Sequence, residues 1–479
     1  MGSLRVDNAT FCDGACVRRL KSIHGEWSSR GAFFLAATGA VVGLGNIWKY
    51  PYIAGQNGGG AFLLLYLLCL LLVGMPLRMA ELLLGRRGRG SPPTAFHELA
   101  VDEGRWRAWA AVGVFAVVAS LLILSFYSVI AGWGLDYMWM SAVGSYRGQS
   151  ESAIQGVFSA LNDEPWRLLM WHTLFMGMTT AVVSRGVQRG LERVARVFVP
   201  VLFILLAVLG LYAAVEGNIV KAVHYLFTPD FAALNGKVVL IALGHAFFTL
   251  SLGMGTMMAY GAYLPEDVSI LRVSVWIVLA DTLAALLSGI AIYPLVFAGN
   301  LPAMQGPGLI FTVLPTAYGH AKYGDAFGAL FYMALVLAAW TSAIALLEPG
   351  VAWLVERGMA RAKAAMVLGS VVWFLGLMTI LSFNIWSGVL ILGHSWFGLL
   401  DMLTGNLMLP VIGLLIVVFV GWMVAERSLR QELQFRRGVF RIWLSVLRYV
   451  TPVAMLLVLL NALGLIRGAY DGSKPISAG

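Results

Sequence analysis

The chain has 479 residues, of which 59% are hydrophobic and 12% charged, with a mean hydropathy of +0.82. No soluble domain of this size needs so much apolar residue, so the composition excludes a soluble protein and indicates a polytopic membrane protein. The net charge of +9 does not signal nucleic acid, because the basic residues fall in short loops between continuous helix-length apolar runs; those runs also exclude the alternating strands of a membrane barrel.

Residues 1–32 are polar and basic, carry no cleavable signal pattern, and read as a cytoplasmic N-terminal segment. Cys12 and Cys16 stand four apart without nearby histidines, and with Cys69 they make neither a disulfide framework nor a metal site. The Asn8-Ala9-Thr10 sequon carries no meaning on the cytoplasmic side. Apolar segments follow at 33–54, 61–84, 108–140, 166–184, 191–214, 238–263, 268–299, 324–355, 364–386, 398–425 and 445–467, each long enough to cross a bilayer with tilt. With the N-terminus inside, 24 of the 33 Lys and Arg residues fall on the inner side. That bias predicts eleven spans and an extracytoplasmic tail at 468–479.

Two segments are interrupted. The first contains GAVVGLGNIWKYP (39–51), with three glycines, an Asn and a Lys inside a membrane span. Glycine weakens a helix, and Asn in hydrocarbon is costly unless paired. The sixth contains LGHAFFTLSLGMGT (243–256). One such helix would be explained by close packing. Two at matching positions, five helices apart and therefore antiparallel, predict an inverted repeat: 33–214 and 238–425, with 445–467 outside it. Unwinding frees carbonyls, which suit a hard cation such as Na⁺, and N–H groups, which suit a carboxylate. No nucleotide loop, HExxH motif or nucleophile with a placed base is present, so the sequence does not read as an enzyme.

The run WSSRGAFFLAATGAVVGLGNIWKYPYIAGQNGGGAFLLLYL (27–68) strongly resembles the neurotransmitter–sodium symporter family. The similarity continues through FFTLSLGMG (247–255), WTSAIALLEP (340–349) and RYVTP (448–452), over nearly the whole chain. The resemblance implies an all-α LeuT fold of the shorter bacterial type: a 5+5 inverted repeat with discontinuous helices 1 and 6 and an eleventh helix. It implies Na⁺-driven import of amino acids across a bacterial inner membrane, by a monomer or weak homodimer. It also implies two Na⁺ sites. The second would use carbonyls of Gly39, Val42 and Ala338 with hydroxyls of Thr341 and Ser342. The first would use the Val41 carbonyl, Asn46, Thr249, a residue of helix 7 and the substrate carboxylate. Here helix 7 (LADTLAALLSG, 279–289) places Asp281 where many members have Asn, and Ala285 where others carry a chloride-binding Ser or a substituting Glu. Asp281, near Tyr66 and His245, would supply the anion directly, so transport is expected to be chloride-independent. His245 stands where relatives have Gln; it reads as a neutral hydrogen-bond partner or as a partner of Asp281 in proton counter-transport.

By the same resemblance, the substrate's charged ends meet the backbone of Val41, Leu44 and Gly45 and the Tyr127 hydroxyl, beside Thr249. Its side chain meets Ile123, Phe248, Ser251, Met254, Ser342 and Leu346. None of these is charged, so an apolar or aromatic amino acid is expected. Lys49 and Asp401 stand at the outer gate. His24 and Glu356 stand at the inner gate with Trp27 and Tyr263, His24 replacing an Arg that Lys21 or Arg18 could replace instead. Gly190 and Pro200 have a spacing that in the family lets helix 5 unwind beside the second sodium, and the Pro is equally compatible with a fixed kink. Glu81 resembles an acid that accepts hydrogen bonds from both unwound helices, and Glu348 receives no role. An amino-acid sensor that binds without transport is the competing reading.

Overall fold

The computed structural model describes residues 22–303, 306 and 308–465. Cys12, Cys16, Lys21, Arg18, the sequon and the C-terminal tail lie outside them. All eleven predicted segments are helical. α1 consists of Arg30–Val41 and Gly45–Gln56, bent by 59°. α2 is Gly60–Gly88, α3 Arg107–Ala142, α4 Pro165–Ser184 and α5 Val187–Glu216. α6 consists of Gly236–Thr249 and Thr256–Ala262. α7 is Ile270–Ala298, α8 Gly324–Glu356, α9 Arg361–Phe383, α10 Trp396–Met423 and α11 Arg437–Ala462.

Among the described residues, eight helices are long and apolar enough to cross a membrane on their own, and the bent α1 makes nine. The other two are α4, with 20 residues, and α6, whose halves are each too short alone. Leu64, Leu68 and Leu71 of α2, Trp276, Leu279 and Leu283 of α7 and Phe374 of α9 are exposed, forming an apolar belt that suits lipid. α11 begins eight residues before its predicted start, because Arg437 and Arg441 hide an amphipathic first turn from a hydropathy reading.

Both breaks have local causes. Ser29 caps α1, accepting from Ala32 N at 3.1 Å. The helix stops where Val42 becomes extended (φ −71°, ψ 97°), and Asn46 Oδ1 then accepts the Gly43 N–H at 3.1 Å. Asn235 caps α6, accepting from Val238 N at 3.1 Å. The first half of α6 ends at Thr249; Ser251, Gly253 and Gly255 then take φ of +53°, +79° and +72°. Glycine accepts such angles without strain, whereas Ser251 must be held there. The second half of α6 packs against α2 at Gly85, where an added Cβ would stand 1.9 Å from the Met258 carbonyl oxygen. α3, α4, α8 and α9 pack together as a scaffold beside the broken pair. Within it, Arg167 Nε and Nη2 grip the buried Asp136 at 2.7 and 2.9 Å, and Trp171 Nε1 donates to the same carboxylate at 2.7 Å.

Candidate functional site

The two breaks meet. Ser251 Oγ donates to the Ala40 carbonyl at 3.3 Å, and Asn46 Nδ2 donates to Thr249 Oγ1 at 3.1 Å. Asp281 of α7 completes this cluster. Its Oδ1 accepts from Asn46 Nδ2 at 2.8 Å, and Thr249 Oγ1 donates to Oδ1 and Oδ2 at 3.2 and 3.1 Å. Tyr66 donates to Oδ2 at 3.2 Å. Asn46, Tyr66, Thr249 and Asp281 are all buried, and Val41 ends the helical half just before them. A buried carboxylate surrounded only by neutral oxygen and amide groups is chemically suited to a hard monovalent cation. Among the described residues no group of three His, Cys, Asp or Glu side chains could hold a transition metal.

A second cluster lies where α1 meets α8. Ser342 Oγ is within donating distance of the Gly39 carbonyl (3.2 Å) and the Val42 carbonyl (3.4 Å). Thr341 Oγ1 turns to the Ala338 carbonyl at 3.1 Å. An added Cβ at Gly39 would stand 3.0 Å from Thr341 Cβ, so the glycine lets the two helices come this close. All five residues expected for the second sodium are thus together, and every donor is an uncharged oxygen.

Between the clusters, Leu44 N donates to the Tyr127 hydroxyl at 3.4 Å, and a Cβ at Gly43 would meet both Ser342 Oγ and Tyr127 Oη near 3 Å. The Phe248 ring lies against Gly45. Ile123, Met254 and Leu346 are buried in the surrounding core.

At the end carrying the N-terminus the chain is sealed. His24 Nε2 lies 3.1 Å from Glu356 Oε1, and Glu356 also accepts from Ser91 and Thr94. Trp27 is buried, its N–H groups donating to the Tyr263 carbonyl at 3.1 Å and the Tyr260 carbonyl at 3.0 Å. Two features here were missed by the sequence reading. Glu348 accepts from Tyr263 Oη at 2.7 Å and pairs with Arg361 at 2.5 Å, while Arg361 Nε donates to the Val183 carbonyl at 2.9 Å. Glu192 of α5 accepts the Ser28 N–H at 3.0 Å. Nothing in the sequence pairs these residues, which lie in different segments of the chain. Nearer the surface, the Arg30 guanidinium holds the Asp267 carboxyl below the usual carboxylate range.

Three expectations change, and for α5 the structure shows the wound form that both of its readings allow. Lys49 and Asp401 form no ion pair within 4.0 Å; the Lys49 ammonium lies 4.9 Å from the Phe248 ring centre instead, and Asp401 is exposed. His245 makes no hydrogen bond to Asp281; its ring packs against Tyr50 and Tyr66 at 5.7 and 5.4 Å, and neither ring nitrogen has a protein partner. Glu81 accepts from α6 alone, through Gly253 N at 2.8 Å. α5 is wound through Pro200, with a wider turn over Val187–Glu192 that holds Gly190 against the end of α4. There an added Cβ would stand 2.2 Å from the Val182 carbonyl oxygen.

Comparison with known proteins agrees with this geometry. Residues 24–150 and 152–470 match the Sodium:neurotransmitter symporter family. An uncharacterized sodium-dependent transporter of Bacillus subtilis, YhdH, is 36% identical over 446 residues, covering 92% of this chain and 98% of its own. A second uncharacterized sodium-dependent transporter, from Haemophilus influenzae, is 28% identical over 447 residues, covering 91% and 98%. The crystal structure of MhsT in complex with L-phenylalanine superposes with a TM-score of 0.83 at 38% identity, covering 91% of this chain and 99% of that one. The fold is therefore the LeuT fold, with its inverted repeat, broken α1 and α6, and an eleventh helix. On this geometry and these matches, the chain belongs to the sodium:neurotransmitter symporter family and is a multi-pass, sodium-dependent membrane transporter rather than an enzyme.

Proposed function

We propose that the protein imports a hydrophobic or aromatic amino acid together with Na⁺ by alternating access, without a need for chloride. The observation that carries this reading is the crossing of the two breaks, flanked by a buried carboxylate cluster at Asp281 and by a second cluster of carbonyl and hydroxyl oxygens, and lined by uncharged side chains. Na⁺ at the first cluster is held by the Val41 carbonyl, Asn46, Thr249 and Asp281, and shares the substrate carboxylate. Na⁺ at the second is held by Gly39, Val42, Ala338, Thr341 and Ser342. A ligand shared between ion and amino acid couples them reciprocally: each raises the other's affinity by the same factor.

The amino acid's carboxylate meets Leu44, Gly45 and Tyr127. Its side chain lies among Ile123, Phe248, Ser251, Met254, Ser342 and Leu346, where a charged group would be desolvated without a partner, costing several kcal/mol. The L-phenylalanine bound in the MhsT structure supports the same substrate class. Asp281, already ionically matched to the first sodium, supplies the negative charge a chloride would bring. With the N-terminus on the cytoplasmic side of a bacterial inner membrane, the sealed His24–Glu356 end faces inward and the Lys49–Asp401 end, where those two charges are unpaired, faces outward.

Purified protein in proteoliposomes with an inward Na⁺ gradient should accumulate labelled phenylalanine or leucine, and should do so equally when gluconate replaces chloride. Sodium-dependent binding without accumulation would instead identify a sensor. Uptake abolished by chloride removal would refute the role given to Asp281.

A further inference from the structure

Arg78 is wholly buried in the middle of α2. A guanidinium at membrane depth is costly and calls for a specific partner. Among the described residues no carboxylate lies within 4.0 Å of it. Its Nη1 donates to the Leu250 carbonyl at 3.4 Å and its Nη2 approaches the Met257 sulfur at 2.9 Å, while Nε has no protein partner. One turn further along α2, Glu81 Oε1 accepts the Gly253 N–H at 2.8 Å. Leu250 and Gly253 bracket Ser251, the one residue with a side chain that takes a left-handed φ in this break. Ser251 is also where the break of α6 is tied to α1.

We propose that Arg78 and Glu81 are two opposite charges that together hold the α6 break in shape, making Arg78 a positioning residue for the ion and substrate site. The signs fit the backbone they meet. Leu250 directly follows the 14-residue half Gly236–Thr249, whose unpaired terminal carbonyls gather partial negative charge, and a cation stands there. Gly253 offers an N–H that its broken helix leaves free, and a carboxylate takes it. α2 thus grips a carbonyl and an N–H three residues apart with side chains three residues apart. The contact with Met257 extends the hold to the second half of α6. One consequence concerns the ion. The Leu250 carbonyl is occupied by a resident cation, so the break directs Na⁺ toward Asn46, Thr249 and Asp281 instead.

The test is Arg78→Met in the full-length chain. Half-saturating Na⁺ and phenylalanine concentrations should each rise about tenfold, the loss of a charge-assisted contact. Arg78→Lys should recover part of this, because the ammonium keeps the charge without the two-pronged reach. The deciding measurement is a cycle with Ser251→Gly. Glycine adopts the left-handed φ freely, so the break needs less holding and Arg78→Met should cost distinctly less in that background. Strict additivity, or unchanged half-saturation in folded Arg78→Met protein, overturns the proposal. Should Arg78→Met fail to fold, Arg78→Lys carries the same cycle. The inference rests on the sodium and amino-acid site proposed above. Reading it by sodium-dependent phenylalanine binding as well as uptake separates the two, since a non-transporting sensor would leave the cycle intact.

Discussion

Asp281 shows what a single side chain decides. It is buried among Asn46, Thr249 and Tyr66, all neutral, so a charge on it has no contacting partner of opposite sign, and in the proposed site Na⁺ would supply one. Asp281→Asn keeps the volume and one carbonyl oxygen but removes that charge. Sodium half-saturation of uptake should rise at least about tenfold, equivalent to ~1.4 kcal/mol, and an unchanged sodium titration would remove Asp281 from the ion site. Residues of this kind are legible in sequence because they are out of place: Asn46, Thr249, Asp281 and Glu81 are polar groups in apolar spans, which demand partners. Their partners are legible only when they too are out of place. Glu348 stood out but received no role, because Arg361 begins another helix and reads as an ordinary loop cation. His245 also stood out, yet its ring turned to Tyr50 and Tyr66, an orientation that packing sets and spacing does not.

Helices carry the next level of meaning. The breaks of α1 and α6 were legible because glycine and hydroxyl residues interrupt otherwise apolar runs, and the α11 boundary was not, because its first turns are amphipathic. α5 tests what a proline inside a span is for. Pro200 lacks an N–H, so the Arg196 carbonyl one turn earlier has no helical donor, although the helix stays wound. If that weak turn opens to let water reach the second sodium, Pro200→Ala should slow uptake several-fold while raising or preserving thermal stability. Equal uptake rates in time courses at saturating Na⁺ would reduce Pro200 to a fixed kink. Gly190→Ala makes the contrasting prediction. The new Cβ would collide with the Val182 carbonyl, backbone that cannot swing aside. The helix must shift, costing about 1–3 kcal/mol and lowering the melting temperature measured in detergent.

At the scale of the whole molecule, the two ends are unequal. The sealed end is held by the Trp27 contacts with Tyr260 and Tyr263, the Tyr263–Glu348 bond, the His24–Glu356 contact and the Ser28–Glu192 bond, joining the segment before α1 to α5, α6 and α8. Opening it must break several of these together, so inward opening in the proposed cycle would need something at the centre to change the balance by about a few kcal/mol. The other end has Lys49 and Asp401 unjoined, with Lys49 resting over Phe248, a residue of the proposed substrate pocket. A substrate beneath Phe248 is placed to move that ring and bring the two charges together. Asp401→Cys, with Cys12 and Cys16 replaced by Ser, reports this directly; Cys69 is buried. A membrane-impermeant thiol reagent should modify the new cysteine readily in Na⁺ alone and in phenylalanine alone. With both present the rate should fall several-fold, because in the proposed site the ion binds the amino acid's carboxylate and joint occupancy is favoured over either alone. Protection by phenylalanine without Na⁺ would break that linkage. Equal labelling under all three conditions would mean that occupancy of the site never reaches the outer end, and closure would then have to be driven from elsewhere in the molecule.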